Sequence, residues 1–164
     1  MNSINVLLVE DDAPKRKHIE RFLLSLEAKL NIREAQSVNS ALRALDESVP
    51  ELLLLDMSLP TFDLGDRESG GQPQVFGGIE IMRYMSMVEL ICPTIVITGY
   101  EAFLREEGPV DLSQLRTELE REFPHFLRGV LHYNSTYAEW KTELGKALEE
   151  LGIKSGDVDE DSDC

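Results

Sequence analysis

Side chains at the ends of three apolar runs could do chemistry. Glu10, Asp11 and Asp12 follow the apolar run Ile4-Asn5-Val6-Leu7-Leu8-Val9, and Asp56 closes the run Leu52-Leu53-Leu54-Leu55. Thr98 closes a third run, Thr94-Ile95-Val96-Ile97. If the runs ending at Val9 and Leu55 are neighbouring parallel strands, Glu10, Asp11 and Asp56 converge on one shallow cleft. Three carboxylates there repel one another, so the cleft must take up protons or a cation. Oxygen ligands, several waters and an open edge suit Mg²⁺, and Mn²⁺ would also fit. A carboxylate held beside such an ion can attack phosphorus and form an aspartyl phosphate, while the metal neutralises charge on the phosphoryl oxygens. Thr98 could donate a hydrogen bond to one of those oxygens. The plainer alternative is that these are capping residues: Asp12 is a good helix N-cap, Asp56 could cap a turn, and Thr is common in strands.

The elements that must position these groups are legible as alternating periodicities. The first run is nearly continuous in apolar residues, as in a strand buried on both faces of a parallel sheet. Asp12 and Pro14 then start a helix with Ile19, Phe22, Leu23, Leu26 and Leu30 on one face. A short strand over 32–35 precedes a small helix with Val38, Ala41, Leu42 and Leu45 inward. The third strand is 52–55 and the fourth 94–97, with a helix near Ile79, Met82 and Met85 between them. A helix near Leu112, Leu115 and Leu119 precedes a fifth strand over 129–133. The closing helix is expected to open with a capping box of Thr136 and Glu139, to carry Trp140, Leu144, Ala147, Leu148 and Leu151, and to stop at Gly152. Five β-α alternations imply parallel strands, right-handed crossovers and a three-layer α/β sandwich. In a sheet of order 2-1-3-4-5 the first and third strands are adjacent, which is what the acid cleft requires.

Composition narrows the function. The chain has 164 residues, with 31 acidic and 16 basic side chains and a formal net charge of −15. That acidity disfavours direct nucleic-acid binding and an anionic membrane surface. No apolar run approaches the ~20 residues that span a bilayer, and no export signal is evident, so a cytoplasmic protein is expected. Cys92 and Cys164 have no zinc spacing and suggest no disulfide framework. Two connections, about 61–76 and 101–111, exceed the ~2–6 residues usual for βα loops. Both leave the carboxyl ends of strands, where ligands bind in open α/β sheets. Residues 154–164 form an acidic tail, expected to be solvated.

Taken together, Val9-Glu10-Asp11-Asp12 with Pro14, Leu55-Asp56-Met57-Ser58-Leu59-Pro60, Gly78-Ile79-Glu80 and Ile97-Thr98-Gly99 resemble the receiver domain of two-component response regulators. The resemblance covers 4–151 apart from the two long connections, and makes 1–153 one receiver-like domain. It implies a flavodoxin-like (βα)5 fold, Asp56 as phosphoacceptor, and Asp11 and Asp56 as direct Mg²⁺ ligands. Glu10 would bind through water, and Ser58 through its main-chain carbonyl. Thr98 matches the switch hydroxyl, and Ser58 and Tyr100 fall where family members adjust dephosphorylation. It also implies a sensor histidine kinase or phosphotransfer protein upstream, a downstream protein effector, and possible homodimers. Chemistry would go no further than self-phosphorylation and dephosphorylation at Asp56.

Two features depart from the family. Receivers end strand five with a Lys whose ammonium pairs with the phosphoryl group; Tyr133 stands there, and 129–135 contain no Lys. Losing that charge-assisted contact would cost about 1.5–3 kcal/mol. The aromatic residue that accompanies the switch is replaced by Val130 or Leu131. A pseudo-receiver, binding partners without phosphorylation, is therefore the alternative. A phosphatase of the haloacid dehalogenase type would need a second Asp at position 58, where Ser58 stands. A nucleotide or flavin site would need an amide-presenting first turn instead of Glu10-Asp11-Asp12. His18 is expected at the surface, His125 in a loop and His132 as a satisfied strand residue.

Overall fold

The computed structural model describes residues 3–63, 77–99, 102–105 and 108–154. Residues 64–76, Tyr100, Glu101 and the tail from Ser155, with Cys164, lie outside them. In chain order the elements are β1 (Ile4–Val9), α1 (Ala13–Leu24), β2 (Leu30–Ala35), α2 (Val38–Glu47), β3 (Leu52–Leu55) and α3 (Gly77–Met87). There follow β4 (Thr94–Thr98), β5 (Ala102–Arg105), β6 (Gly108–Asp111), α4 (Leu112–Glu122), β7 (Leu127–His132) and α5 (Glu139–Glu150). Five parallel strands pair in the order β2-β1-β3-β4-β7, so the expected 2-1-3-4-5 sheet is present.

Side-chain alternation along the strands builds two cores. Leu7 and Val9 of β1, with Leu53 and Leu55 of β3, face a layer that includes Val38, Ala41 and Leu45 of α2, Met82 and Met85 of α3, and Leu115 and Leu119 of α4. Val6, Leu8, Leu52 and Leu54 face the opposite layer, with Ile19 and Leu23 of α1 and Trp140, Leu144 and Leu148 of α5. Each fully buried Leu or Ile contributes about 1.5–3 kcal/mol relative to exposure. The continuous leucine run of β3 is thus explained: every side chain meets a helix on one face or the other.

Several expectations need correction. Leu30 opens β2 and is not on the first helix, because α1 ends at Leu24: the Ser25 amide bonds back to the Arg21 and Phe22 carbonyls and its hydroxyl donates to Phe22 O at 2.6 Å. The strand expected at 129–133 begins at Leu127 and ends at His132, one residue before Tyr133. The Thr136–Glu139 capping box is not formed. Asn134 Oδ1 instead accepts the Thr136 and Tyr137 amides, at 2.7 and 3.2 Å, and α5 starts at Glu139 without a side-chain cap. The connection expected over 101–111 contains an antiparallel ribbon, β5 with β6. The connection after Asp56 starts inside the core, since Met57 and Leu59 are fully buried.

Candidate functional site

The acid cleft is built by extending two ladders one residue past their strands. The Glu10 amide bonds to Ala35 O at 3.0 Å, and the Asp56 amide bonds to Val9 O at 3.1 Å. Both acids are thereby held at the carboxyl edge of the sheet, next to each other. The turn from β1 to α1 is only Glu10-Asp11-Asp12. Asp12 caps the helix by accepting the Lys15 amide at 3.0 Å, and Glu10 Oε2 accepts the Asp12 amide at 3.0 Å. On the other side, Gly78 packs its backbone on the loop after β3: its amide bonds to Met57 O at 2.9 Å, and a Cβ there would lie 2.4 Å from Asp56 O.

Glu10, Asp11 and Asp56 each offer an oxygen within 4.8 Å of the others. Among the described residues they are the one group of three or more His, Cys, Asp or Glu side chains near enough to share an ion. A cavity of about 420 Å³ opens over them, lined also by Asp12, Ala13, Lys15, Ser58, Gly99 and Tyr133. Glu10 and Asp56 are buried and Asp11 is half-buried. Burial, then the Asp56 charge, pushes the Glu10 carboxyl up to about 8. The Asp56 and Asp11 carboxyls are also raised, in both cases mainly by burial. Thr98 is fully buried at the end of β4, one residue before the lining Gly99.

One functional group was not anticipated. Lys15 lies in the first turn of α1, with its side chain 8% exposed. Its Nζ sits 2.8 Å from Glu10 Oε1 and donates to Asp56 Oδ1 at 3.1 Å and to Ile97 O at 2.8 Å. The two carboxylates hold the ammonium above its ordinary pKa, against the opposing and larger single effect of burial. A signal for it existed: Lys15 precedes Ile19 by four residues and so occupies the buried stripe of an amphipathic helix. Tyr133, at the position where the resemblance leads a Lys to be expected, lines the cleft, its ring centroid 5.5 Å from Lys15 Nζ. Its hydroxyl lies 2.7 Å from Nδ1 of His18, which is half-buried at the surface of α1, edge-on to Trp140. Cys92 is a buried thiol, pushed up to about 12 by burial and donating to Pro50 O, which suits no metal or redox role.

The carboxylate set fits a hard divalent cation. With all three acids ionised, one ammonium would leave two negative charges uncompensated in a largely buried cleft, to be met by protons or a cation, and all the donors are oxygen.

The fold is that of signal receiver domains. The receiver domain of a protein described as a Luxo repressor from Vibrio parahaemolyticus superposes with a TM-score of 0.64 at 16% identity, over 92% of this chain and 94% of that one. No family model matches the chain. The Detocs response regulatory protein DtcB of Vibrio alginolyticus is 30% identical over 120 residues, 72% of this chain and 80% of that one. Its namesake from Enterobacter cloacae (strain JD6301) is 25% identical over 150 residues, 90% of this chain and 100% of that one. This chain belongs to the response regulators, as a receiver domain. No helix among the described residues is long and apolar enough to cross a membrane.

Proposed function

We propose that the protein is a cytoplasmic receiver that is phosphorylated on Asp56 with Mg²⁺ and signals through protein–protein contacts. The observation that carries this reading is the convergence of Glu10, Asp11 and Asp56 within 4.8 Å under an open cavity. Asp11 and Asp56 would hold the ion directly, Glu10 through water, and Ser58 by its main-chain carbonyl. When bound, the ion neutralises charge on the phosphoryl oxygens. Asp56 supplies the nucleophile: one carboxylate oxygen bonds to phosphorus as the bond from phosphorus to the donor breaks, and the donor leaves with the electron pair. The donor is a phosphohistidine on a sensor kinase or phosphotransfer protein, or a small acyl phosphate. The backbone amides of Met57 and Ser58, beside the Asp56 carboxylate, favour its ionised form against burial. Thr98, at the end of β4, would answer the new group as the switch hydroxyl. The chemistry is self-phosphorylation from that donor and dephosphorylation at Asp56, and goes no further. Output passes to a protein effector or a second copy of the receiver, and the net charge of −15 argues against nucleic acid as that partner.

The test is incubation with acetyl phosphate and Mg²⁺ followed by intact mass. Wild type gains one phosphoryl group, and Asp56→Asn and chelator-treated wild type gain none. Unlabelled wild type, under conditions that label another receiver, overturns this reading in favour of a phosphorylation-independent binding module.

A further inference from the structure

We propose that Lys15, reaching into the cleft from α1, supplies the ammonium that contacts the phosphoryl group, in place of the lysine missing from the end of β7. The proposal rests on the phosphoacceptor reading above and assigns that site a catalytic residue. Its geometry is already committed: Nζ donates to Asp56 Oδ1, on the reacting carboxylate, and to Ile97 O, and it lies 2.8 Å from Glu10 Oε1 as an ion pair, an oxygen with no hydrogen-bond partner of its own. A lysine with this burial is held by its partners and does not wave in solvent. It lies in the wall of the cavity beside Asp11, Asp56 and Ser58, so a group attached to Asp56 Oδ1 arrives within reach of Nζ. The Ile97 carbonyl anchors the ammonium at the end of β4, the strand that also carries Thr98. Tyr133 closes the arrangement from the β7 side, its ring facing the ammonium and its hydroxyl bonded to His18 on α1. The two exchanges compensate each other: β7 contributes an aromatic wall where a cation is usual, and α1 contributes a cation on a face that is otherwise apolar.

During transfer the ammonium makes and breaks no covalent bond and keeps its proton. It accompanies the Asp56 oxygen as the oxygen–phosphorus bond forms and then donates to a phosphoryl oxygen. A charge-assisted contact of this kind is worth about 10- to 100-fold in rate or affinity.

The experiment compares wild type, Lys15→Met and Lys15→Met/Tyr133→Lys. It reads the rate of labelling by acetyl phosphate and, separately, the affinity for beryllofluoride with Mg²⁺, followed by the fluorescence of the single tryptophan, Trp140. The expected result is a loss of about tenfold or more in both for Lys15→Met, and substantial recovery when the ammonium is returned from position 133. Equal rate and affinity in wild type and Lys15→Met overturn the proposal while leaving the phosphoacceptor reading intact. A wild type that is neither labelled nor able to bind beryllofluoride overturns that reading, and this proposal with it. If Lys15→Met does not melt cooperatively, the unmodified protein decides. Its Lys15 ¹⁵Nζ resonance shifts on beryllofluoride binding if the ammonium contacts the ligand, and an unmoved resonance overturns the proposal.

Discussion

Glu10 shows what burial does to a carboxylate that has too little positive charge nearby. Its pKa rises from 4.5 to about 8, with burial the largest cause and the Asp56 charge second. Between those values the folded state binds more protons than the unfolded chain. Stability is therefore greatest at and below the unfolded pKa, and is lost as pH rises towards 8. The raised Asp56 and Asp11 carboxyls act in the same direction. In chelator, the melting temperature should fall from about pH 5 to about pH 8. Saturating Mg²⁺ should flatten that slope, because the ion replaces the protons as the source of positive charge. A differential-scanning series across pH checks both, and a chelated protein that gains stability towards pH 8 contradicts the assignment. Asp56→Asn should remove part of the repulsion and raise the melting temperature in chelator at pH 8, a change the same series would read.

At the scale of elements, the site depends on how closely α3 starts against the loop after β3. Gly78 permits this, because any Cβ would meet the Asp56 carbonyl at 2.4 Å, and backbone cannot swing aside. Gly78→Ala should destabilise the domain by about 1–3 kcal/mol, the usual range for overpacking, and weaken Mg²⁺ binding as the Asp56-Met57-Ser58 segment shifts. Urea unfolding with and without Mg²⁺ separates the two effects. Most elements were legible because period and run length speak directly for them: Leu52–Leu55 is apolar at every position since both faces are covered, and Asp12 caps α1 as its type and place suggest. What escaped reading depends on contacts between distant residues. Lys15 is three positions after Asp12 in sequence, but its meaning comes from Asp56 and Ile97, 41 and 82 residues away. The cap expected from Thr136 failed because Asn134 took the Thr136 amide first. The β5–β6 ribbon is two four-residue strands, one containing Pro109, with no alternating pattern to announce it.

For the whole molecule, the excess of 15 negative charges is a long-range term that no single contact removes. Self-repulsion of this kind is screened by salt, with a Debye length near 10 Å at about 0.1 M. The melting temperature should therefore rise with NaCl from low ionic strength to about 0.15 M, and rise further with MgCl₂ at equal ionic strength if the folded cleft binds the ion as proposed. Identical curves for the two salts would count against a specific site. By contrast, Arg83–Glu122, the exposed pair joining α3 to α4 at 2.8 Å, should matter little. Glu122→Gln should cost less than about 1 kcal/mol in the same melts.

The proposed binding of one divalent ion by Glu10, Asp11 and Asp56 underlies the functional reading, and calorimetric titration of the protein with MgCl₂ tests it most directly. Wild type should take up one ion per chain at millimolar concentrations, with the uptake lost in Asp11→Asn. Wild type that releases or absorbs no binding heat over that range, or an Asp11→Asn variant that binds as tightly as wild type, would contradict it.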